Sequence, residues 1–148
     1  MAAQLHYLTV QDILWINLQV TGKVNHFNFA KLEEATYYQY AYGDSKHLVS
    51  QAARFLPGFM KLNPIEAGNE ATAFIALLTF LKINGNSILL QDNNALAWLD
   101  SINDKKTPPA EAIDAIAKSD HGDHAGAPDV RKIIRDLIND FAGTLPKL

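Results

Sequence analysis

Cysteine is absent from the 148-residue chain, which excludes disulfides, zinc knuckles and thiol catalysis and leaves the compartment to other features. Arginine is scarce. Of thirteen Lys+Arg only Arg54, Arg131 and Arg135 are arginine, and sixteen Asp+Glu bring the net charge to −3. An acidic chain neutralises phosphates poorly, so nonspecific nucleic-acid binding is disfavoured, and Lys105-Lys106 is too short a run to form a basic patch. No targeting segment shows: the opening MAAQLHYLTVQDILWINL has no basic n-region, and Gln11 and Asp12 break its apolar stretch. The longest apolar run, Ala73 to Leu81 with Thr79 inside it, covers about half of a membrane span. Also missing are a Gly-x-x-x-x-Gly-Lys-[Ser/Thr] phosphate loop and any arrangement of the five scattered histidines from which a Ser-His-Asp triad could be argued. The expectation is a soluble, cytoplasmic protein that binds neither nucleic acid nor membrane.

What is present is the composition of a globule, 48% apolar and 20% charged. A chain of this length buries roughly 68–70% of its unfolded surface, enough for one core, so a single domain over residues 1–148 is expected. The chain reads as helices throughout. Thr9 suits an N-cap with Asp12 three residues on, Ile13, Leu14, Ile16, Leu18 and Val20 follow, and Thr21-Gly22 stops the helix. A second helix is predicted from Asn28 to about Tyr40 with Phe29, Leu32, Ala35 and Thr36 on one face. After the turn Gly43-Asp44-Ser45, with Ser45 as N-cap, Leu48, Val49, Ala52, Phe55 and Leu56 trace a stripe that Pro57-Gly58 should end or kink.

The next segment differs in kind. From Ala71 to Ile83 ten of thirteen residues are apolar, all but Thr72, Thr79 and Lys82, and a helix apolar all round is a buried one. Gly85 should end it. Asn93 or Asn94 can cap a helix through Leu96, Trp98, Leu99 and Ile102, and Thr107-Pro108-Pro109 is a strong start for another. Val130, Ile133, Ile134, Leu137, Ile138 and Phe141 give the last helix at i, i+3, i+4, i+7 spacing between Pro128 and Gly143. No segment shows sustained strand alternation. The expected fold is all-α, about seven helices around the buried one.

Immediately before that central helix stands Asn63-Pro64-Ile65-Glu66-Ala67-Gly68-Asn69-Glu70-Ala71-Thr72-Ala73. A loop stepping through Gly-Asn into a helix N-terminus offers free backbone N–H groups and the positive end of the dipole, a ready anion site to which Asn69 can add its amide. An ordinary helix cap is the competing reading. The stretch resembles the signature of the Fic/Doc (Fido) family, approximately His-Pro-Phe-x-[Asp/Glu]-Gly-Asn-[Gly/Lys]-Arg-Thr-Ala, which leads into that fold's central helix. Similarity to Doc (death-on-curing) toxin-like proteins extends over about residues 5–100. Leu5 to Gly22 looks like their start, Leu32-Glu33-Glu34-Ala35 resembles their Leu-Glu-x-Ala block, and Gln51-Ala52-Ala53-Arg54 falls at their Ala-rich helix. Thr79-Phe80-Leu81-Lys82-Ile83-Asn84-Gly85 resembles their Phe-Leu-x-x-Asn-Gly helix end.

The resemblance implies a Fic/Doc-like bundle and transfer of a phosphoryl or AMP group from Mg-ATP to a protein hydroxyl, in a toxin–antitoxin or related context. It also implies a protein partner: an antitoxin-like segment or the target protein. The departures fall on the chemistry. Asn63 stands at the position of the family's His, the general base, and an amide has no useful basicity near neutral pH. Ala67 replaces the acidic residue that holds magnesium, so no metal ligand is expected there, and Glu66, one residue away, could serve only in a shifted register. Ala71 replaces the phosphate-gripping Arg and Glu70 the Lys or Gly before it, while Pro64, Gly68, Asn69, Thr72 and Ala73 match. No Lys or Arg occurs between Asn63 and Leu81. Gly68, Asn69, Glu70 and Ala71 thus form a degenerate anion loop, and the expectation is a catalytically impaired protein acting by binding, the alternative an active divergent transferase.

Three further features compete with plain packing. Tyr37, Tyr38, Tyr40 and Tyr42 could form an aromatic interface. His121 and His124, with Asp120 and Asp123, could ligate a metal, although Gly122 and Gly126 suit a solvated loop better. Arg131, Lys132 and Arg135 on the last helix read as solvent-facing charge beside Asp136 and Asp140.

Overall fold

A computed structural model describes residues 5–40, 47–120 and 127–148. Among them the chain forms seven α-helices and one two-stranded antiparallel sheet: α1 (Val10–Thr21), α2 (Phe29–Tyr37), α3 (Leu48–Leu62), α4 (Asn69–Ile83), β1 (Asn86–Ile88), α5 (Asp92–Asn103), α6 (Pro109–Ile116), β2 (Ala117–Ser119) and α7 (Val130–Asp140), closed by a 3-10 turn at Leu145–Lys147. The fold is all-α around a buried central helix. No helix of the described residues is long and apolar enough to cross a membrane.

The central helix is α4. Every residue from Ala71 to Leu81 is buried, and α1, α3, α7 and β1 pack around it. Its two threonines carry no solvent-facing polarity: the Thr79 hydroxyl donates to Ile75 O (2.7 Å), and Thr72 Oγ1 accepts from Asn17 Nδ2 (3.1 Å). Phe74 carries the core outward, with ring centroids 5.2 Å from Phe141 and 6.3 Å from Trp98.

Local rules account for several boundaries. Thr9 and Asp12 form a reciprocal capping box at α1 (Asp12 N to Thr9 Oγ1, 3.1 Å; Thr9 N to Asp12 Oδ2, 2.9 Å), and Gly22 ends the helix in the left-handed conformation at φ 75°. Asn28 caps α2, and Asp129 caps α7.

Four expectations need correction. Of the two outcomes expected at Pro57, an end or a kink, the end does not occur: α3 runs on to Leu62 with Pro57 inside it, and Phe55, Leu56 and Phe59 on either side are buried and hold the helix across the lost backbone bond. Helix α2 stops at Tyr37 rather than Tyr40, and Phe29 lies exposed on it instead of joining Leu32, Ala35 and Thr36. Neither Asn93 nor Asn94 caps α5, which begins at Asp92 after Gln91. Two three-residue strands form where none was expected, Asn86 to Ile88 pairing antiparallel with Ala117 to Ser119. The expected cap Ser45 lies outside the described residues.

The chain's C-terminal turn is tied in by a side chain. Asp92 accepts from Gly143 N (3.0 Å), Thr144 N (2.9 Å) and Thr144 Oγ1 (2.6 Å), fastening that turn to α5. The Thr144 hydroxyl above all, then the two backbone N–H groups and the charge of Lys147, hold the Asp92 carboxyl below its ordinary value of 3.8 against an opposing push from burial.

Two outcomes follow for stability. Leu78→Ala and Phe80→Ala, each fully buried, should each cost about 2–5 kcal/mol in urea denaturation; near-zero values would be incompatible with a central α4. A carboxyl whose folded pKa is depressed stabilises the fold above its ordinary pKa and ceases to do so as pH falls through the folded value. Asp92→Asn should therefore lower the thermal midpoint at neutral pH, with the gap to wild type closing below pH 3.8. A gap that persists in acid would assign the effect to packing instead.

Candidate functional site

The loop between α3 and α4 is built from its two ends. Asn63 closes α3 as its C-cap in the left-handed conformation (φ 50°), which asparagine tolerates better than most residues, and its N–H donates to Phe59 O (3.0 Å). Pro64 and Ile65 turn inward and are buried. The segment linking α1 to α2 lies against them: Asn28 N donates to Pro64 O (2.9 Å), Glu66 N to His26 O (2.8 Å), and Phe27 and Ile65 form an isolated antiparallel bridge. Glu66 accepts from His26 N at 3.3 Å, so its carboxylate serves this edge and is not re-registered towards position 67.

At the start of α4 the side chains that the sequence offered to an anion are engaged within the protein. Asn69 donates its amide to Ile65 O and accepts from Ile65 N (3.0 Å), pairing with both backbone groups of one residue. Gly68 has φ 76°, and a Cβ there would run into the Thr21 methyl and stand 3.1 Å from Asn17 Nδ2. Its freedom therefore serves close approach of α1 rather than of a phosphate. Asn17, buried on α1, donates to Ala67 O (2.8 Å) and to Thr72 Oγ1 (3.1 Å).

The first bond of the α4 ladder runs from Thr72 N to Gly68 O (2.9 Å), so the N–H groups of Asn69, Glu70 and Ala71 belong to the helix end, where negative charge is favoured. Glu70 supplies it. Its Oε2 accepts from Asn103 Nδ2 at 3.0 Å, which fixes the carboxylate beside the end of α5. Ala71 is buried, so a guanidinium at that position would have to displace packed neighbours. A magnesium nucleotide does not fit this residue set: the loop has no base at position 63, no carboxylate at 67, no cation at 71, and an anion at 70. Among the described residues no three His, Asp or Glu side chains gather as a metal site. His121 and His124 lie outside the described residues.

Sequence reasoning missed one feature beside the loop. A cavity of about 530 Å³ between α3, α5 and α6 is lined by Pro57, Met60, Lys61, Asn103 and Lys105 among others. Two of its lining residues, Lys61 and Lys105, are cations of a kind the loop itself does not carry, and Asn103, which bonds Glu70, also lines it. No local pattern could have announced it, because its walls come from three helices.

The aromatic cluster splits. Tyr38 packs under Gly58, where a Cβ would come within 2.6 Å of its ring, while Tyr37 and Tyr40 are exposed and Tyr7 stacks on Tyr40 at 4.1 Å. Burial first, then Tyr7 and Tyr37, push the Tyr40 phenol above its ordinary value of 10.0, so it stays protonated near neutrality. Arg54 donates to Tyr40 O at 2.6 Å and Tyr38 O at 3.4 Å, occupying the carbonyls that follow α2. Tyr42 lies outside the described residues.

The close approach at Gly68 is open to measurement. Gly68→Ala should destabilise by about 1 kcal/mol or more, through both the positive φ and the Thr21 methyl. Thr21→Ser, which removes that methyl and keeps the hydroxyl, should recover part of the loss in a double-mutant cycle by urea denaturation. No recovery would place the steric cost elsewhere.

Comparison of the chain with family models, with curated proteins and with solved structures gives no match.

Proposed function

We propose that this protein is a Fic/Doc-like helical scaffold, Doc toxin-like in ancestry, that acts by binding another protein rather than by transferring a group from ATP. Its setting is the cytoplasm and a toxin–antitoxin or related context. The observation that carries this reading is Glu70. A carboxylate in the first turn of α4, held by Asn103, occupies the place where an anion-binding loop needs its positive end open. Around it the loop side chains brace the fold: Asn69 on Ile65, Asn17 on Ala67. A binding role is supported by the large apolar side chains left at the surface, Val24, Phe27, Phe29, Tyr37, Tyr40 and Leu89.

The second reading is a divergent transferase moving a phosphoryl or AMP group from Mg-ATP to a protein hydroxyl. The cavity walled by Lys61 and Lys105 favours it, since two cations there could meet phosphates that the loop itself does not hold.

Titration with Mg-ATP, followed by transfer of label from α- and γ-labelled ATP in lysate, separates the two. The native protein should bind weakly or not at all. Glu70→Lys should improve ATP binding, and adding Asn63→His and Ala67→Asp should bring turnover, the His contributing to transfer and not to affinity. Ala71→Arg completes the family pattern but enters a buried position, so this quadruple variant is scored only if its circular dichroism and melting remain cooperative. Micromolar ATP binding by the native protein, unchanged in Glu70→Lys, would overturn the reading, and metal-dependent labelling that survives Asn63→Ala would establish the second.

A further inference from the structure

On the flank of α1 that faces α7 lies a cleft of about 320 Å³ that belongs neither to the loop nor to the lysine cavity. Its walls are α1, the segment that leads from α1 to α2, and the start of α7. Leu14, Trp15, Leu18, Val24 and Phe27 give it an apolar floor and rim. Val24 is 87% exposed and Phe27 43%. A pocket sized for one or two side chains, with exposed apolar side chains at its rim, suits a side chain of a partner segment.

The charge of the cleft is one-sided. In a protein of net charge −3, its two ionisable lining residues are Lys23 and Arg131, and no acid lines it. The acids nearest in the chain are engaged elsewhere: Asp12 with Thr9, Asp129 with Lys132 N, Asp136 with Lys132 Nζ (3.0 Å) and Glu66 with His26 N. Arg131 instead lays its guanidinium 4.8 Å over the Trp15 ring, which fixes the side chain across the cleft mouth while leaving its planar fork of donors available to a carboxylate.

A third observation is independent of the first two. Asn25 lines the cleft and is 6% exposed. Its Nδ2 donates to Asn17 Oδ1 (3.0 Å) and Thr21 Oγ1 (3.0 Å), yet its buried Oδ1 has no partner. Buried acceptors are rarely left without a donor, so the polar wall that Asn25 gives the cleft is incompletely satisfied.

We propose that this cleft docks a segment of a partner protein that carries one bulky apolar residue with Asp or Glu close beside it. The apolar side chain enters between Trp15 and Phe27, beside Asn25, and the carboxylate meets Arg131 and Lys23. The proposal deepens the reading of the protein as a binding scaffold and rests on it.

The test is selection of a displayed random-peptide library on the immobilised intact chain, followed by titration of the selected synthetic peptides into isotopically labelled protein. Selected sequences should combine Phe, Leu, Ile or Trp with an acid within a few positions. They should shift the Trp15 indole and Asn25 side-chain amide resonances. Arg131→Glu and Lys23→Glu, both exposed substitutions, should each weaken binding about tenfold or more and turn the preference towards lysine-bearing peptides. Overturning results are failure to enrich any sequence, basic or purely apolar winners, shifts confined to Tyr37 and Tyr40, or binding indifferent to Arg131→Glu. Concentration-dependent dimerisation lost in Arg131→Glu would also overturn it, assigning the cleft to a second copy. Mg-ATP titrated into the same sample keeps the two failures apart: tight nucleotide binding that leaves Trp15 and Asn25 unmoved defeats the scaffold reading and not the cleft.

Discussion

A helix with no face left for water is the constraint from which the rest of this fold follows. Helix α4 is buried from Ala71 to Leu81, so every neighbour must present it an apolar surface and no polar atom on it can rely on solvent. The amphipathic stripes of α1, α3 and α7 answer the first requirement, and the internal bonds of Thr72 and Thr79 the second. The ends are harder. A buried helix cannot fray into water, and the loop that closes its N-terminus must itself be closed by protein. That is why the Asn63–Ala73 stretch is so densely bonded to α1 and to the segment that follows it.

The closure uses one chemical device three times. Asn69 pairs with both backbone groups of Ile65, Gln39 with both of Leu8 (2.7 and 2.7 Å), and Asn84 with both of His6 (2.7 and 2.9 Å). Each partner lies in an irregular segment without a full strand or helix to satisfy it. A carboxamide carries a donor and an acceptor on one planar fork, so it substitutes for a neighbouring strand at a single residue, which neither a carboxylate nor an ammonium can do. Both amides that hold the N-terminal segment stand just past helix ends, Gln39 after α2 and Asn84 after α4, so the chain's start is registered against the same core that the loop protects.

What was legible in the sequence is what local physics decides. The Thr9 capping box, the Gly22 stop and the all-round apolarity of α4 need only a few consecutive residues, and all three stand as expected. The misreadings have more than one cause. Pro57 is a breaker in isolation, but the buried side chains on both sides of it carry α3 through. Asn93 and Asn94 are better caps than Gln91, yet Asp92 sets the start of α5 because Gly143 and Thr144 bind it from the other end of the chain. Strands of three residues are too short to alternate. In the site, the identities of Gly68 and Asn69 could be read, but their roles depend on Thr21 and Ile65, and the pairing of Arg131 with Trp15 joins the last helix to the first.

The loop divides between residues that match the Fic/Doc pattern it resembles and residues that do not. Residues that match the Fic/Doc pattern are the ones the fold uses: Pro64 is buried, Gly68 admits α1, Asn69 binds Ile65, Thr72 accepts from Asn17, and Ala73 is enclosed in the core. Three of the four departures, Asn63, Ala67 and Glu70, fall at exposed or half-buried positions, where Asn63 caps α3 and Glu70 accepts from Asn103. Ala71 is the exception, buried and small, and there the change from the pattern closes space rather than merely removing a charge. With Ala71 packed and the Glu70 carboxylate bonded to Asn103, the loop is part of the core's boundary. The apolar side chains that the core does not consume include Val24 and Phe27, on the flank of α1 that faces Arg131.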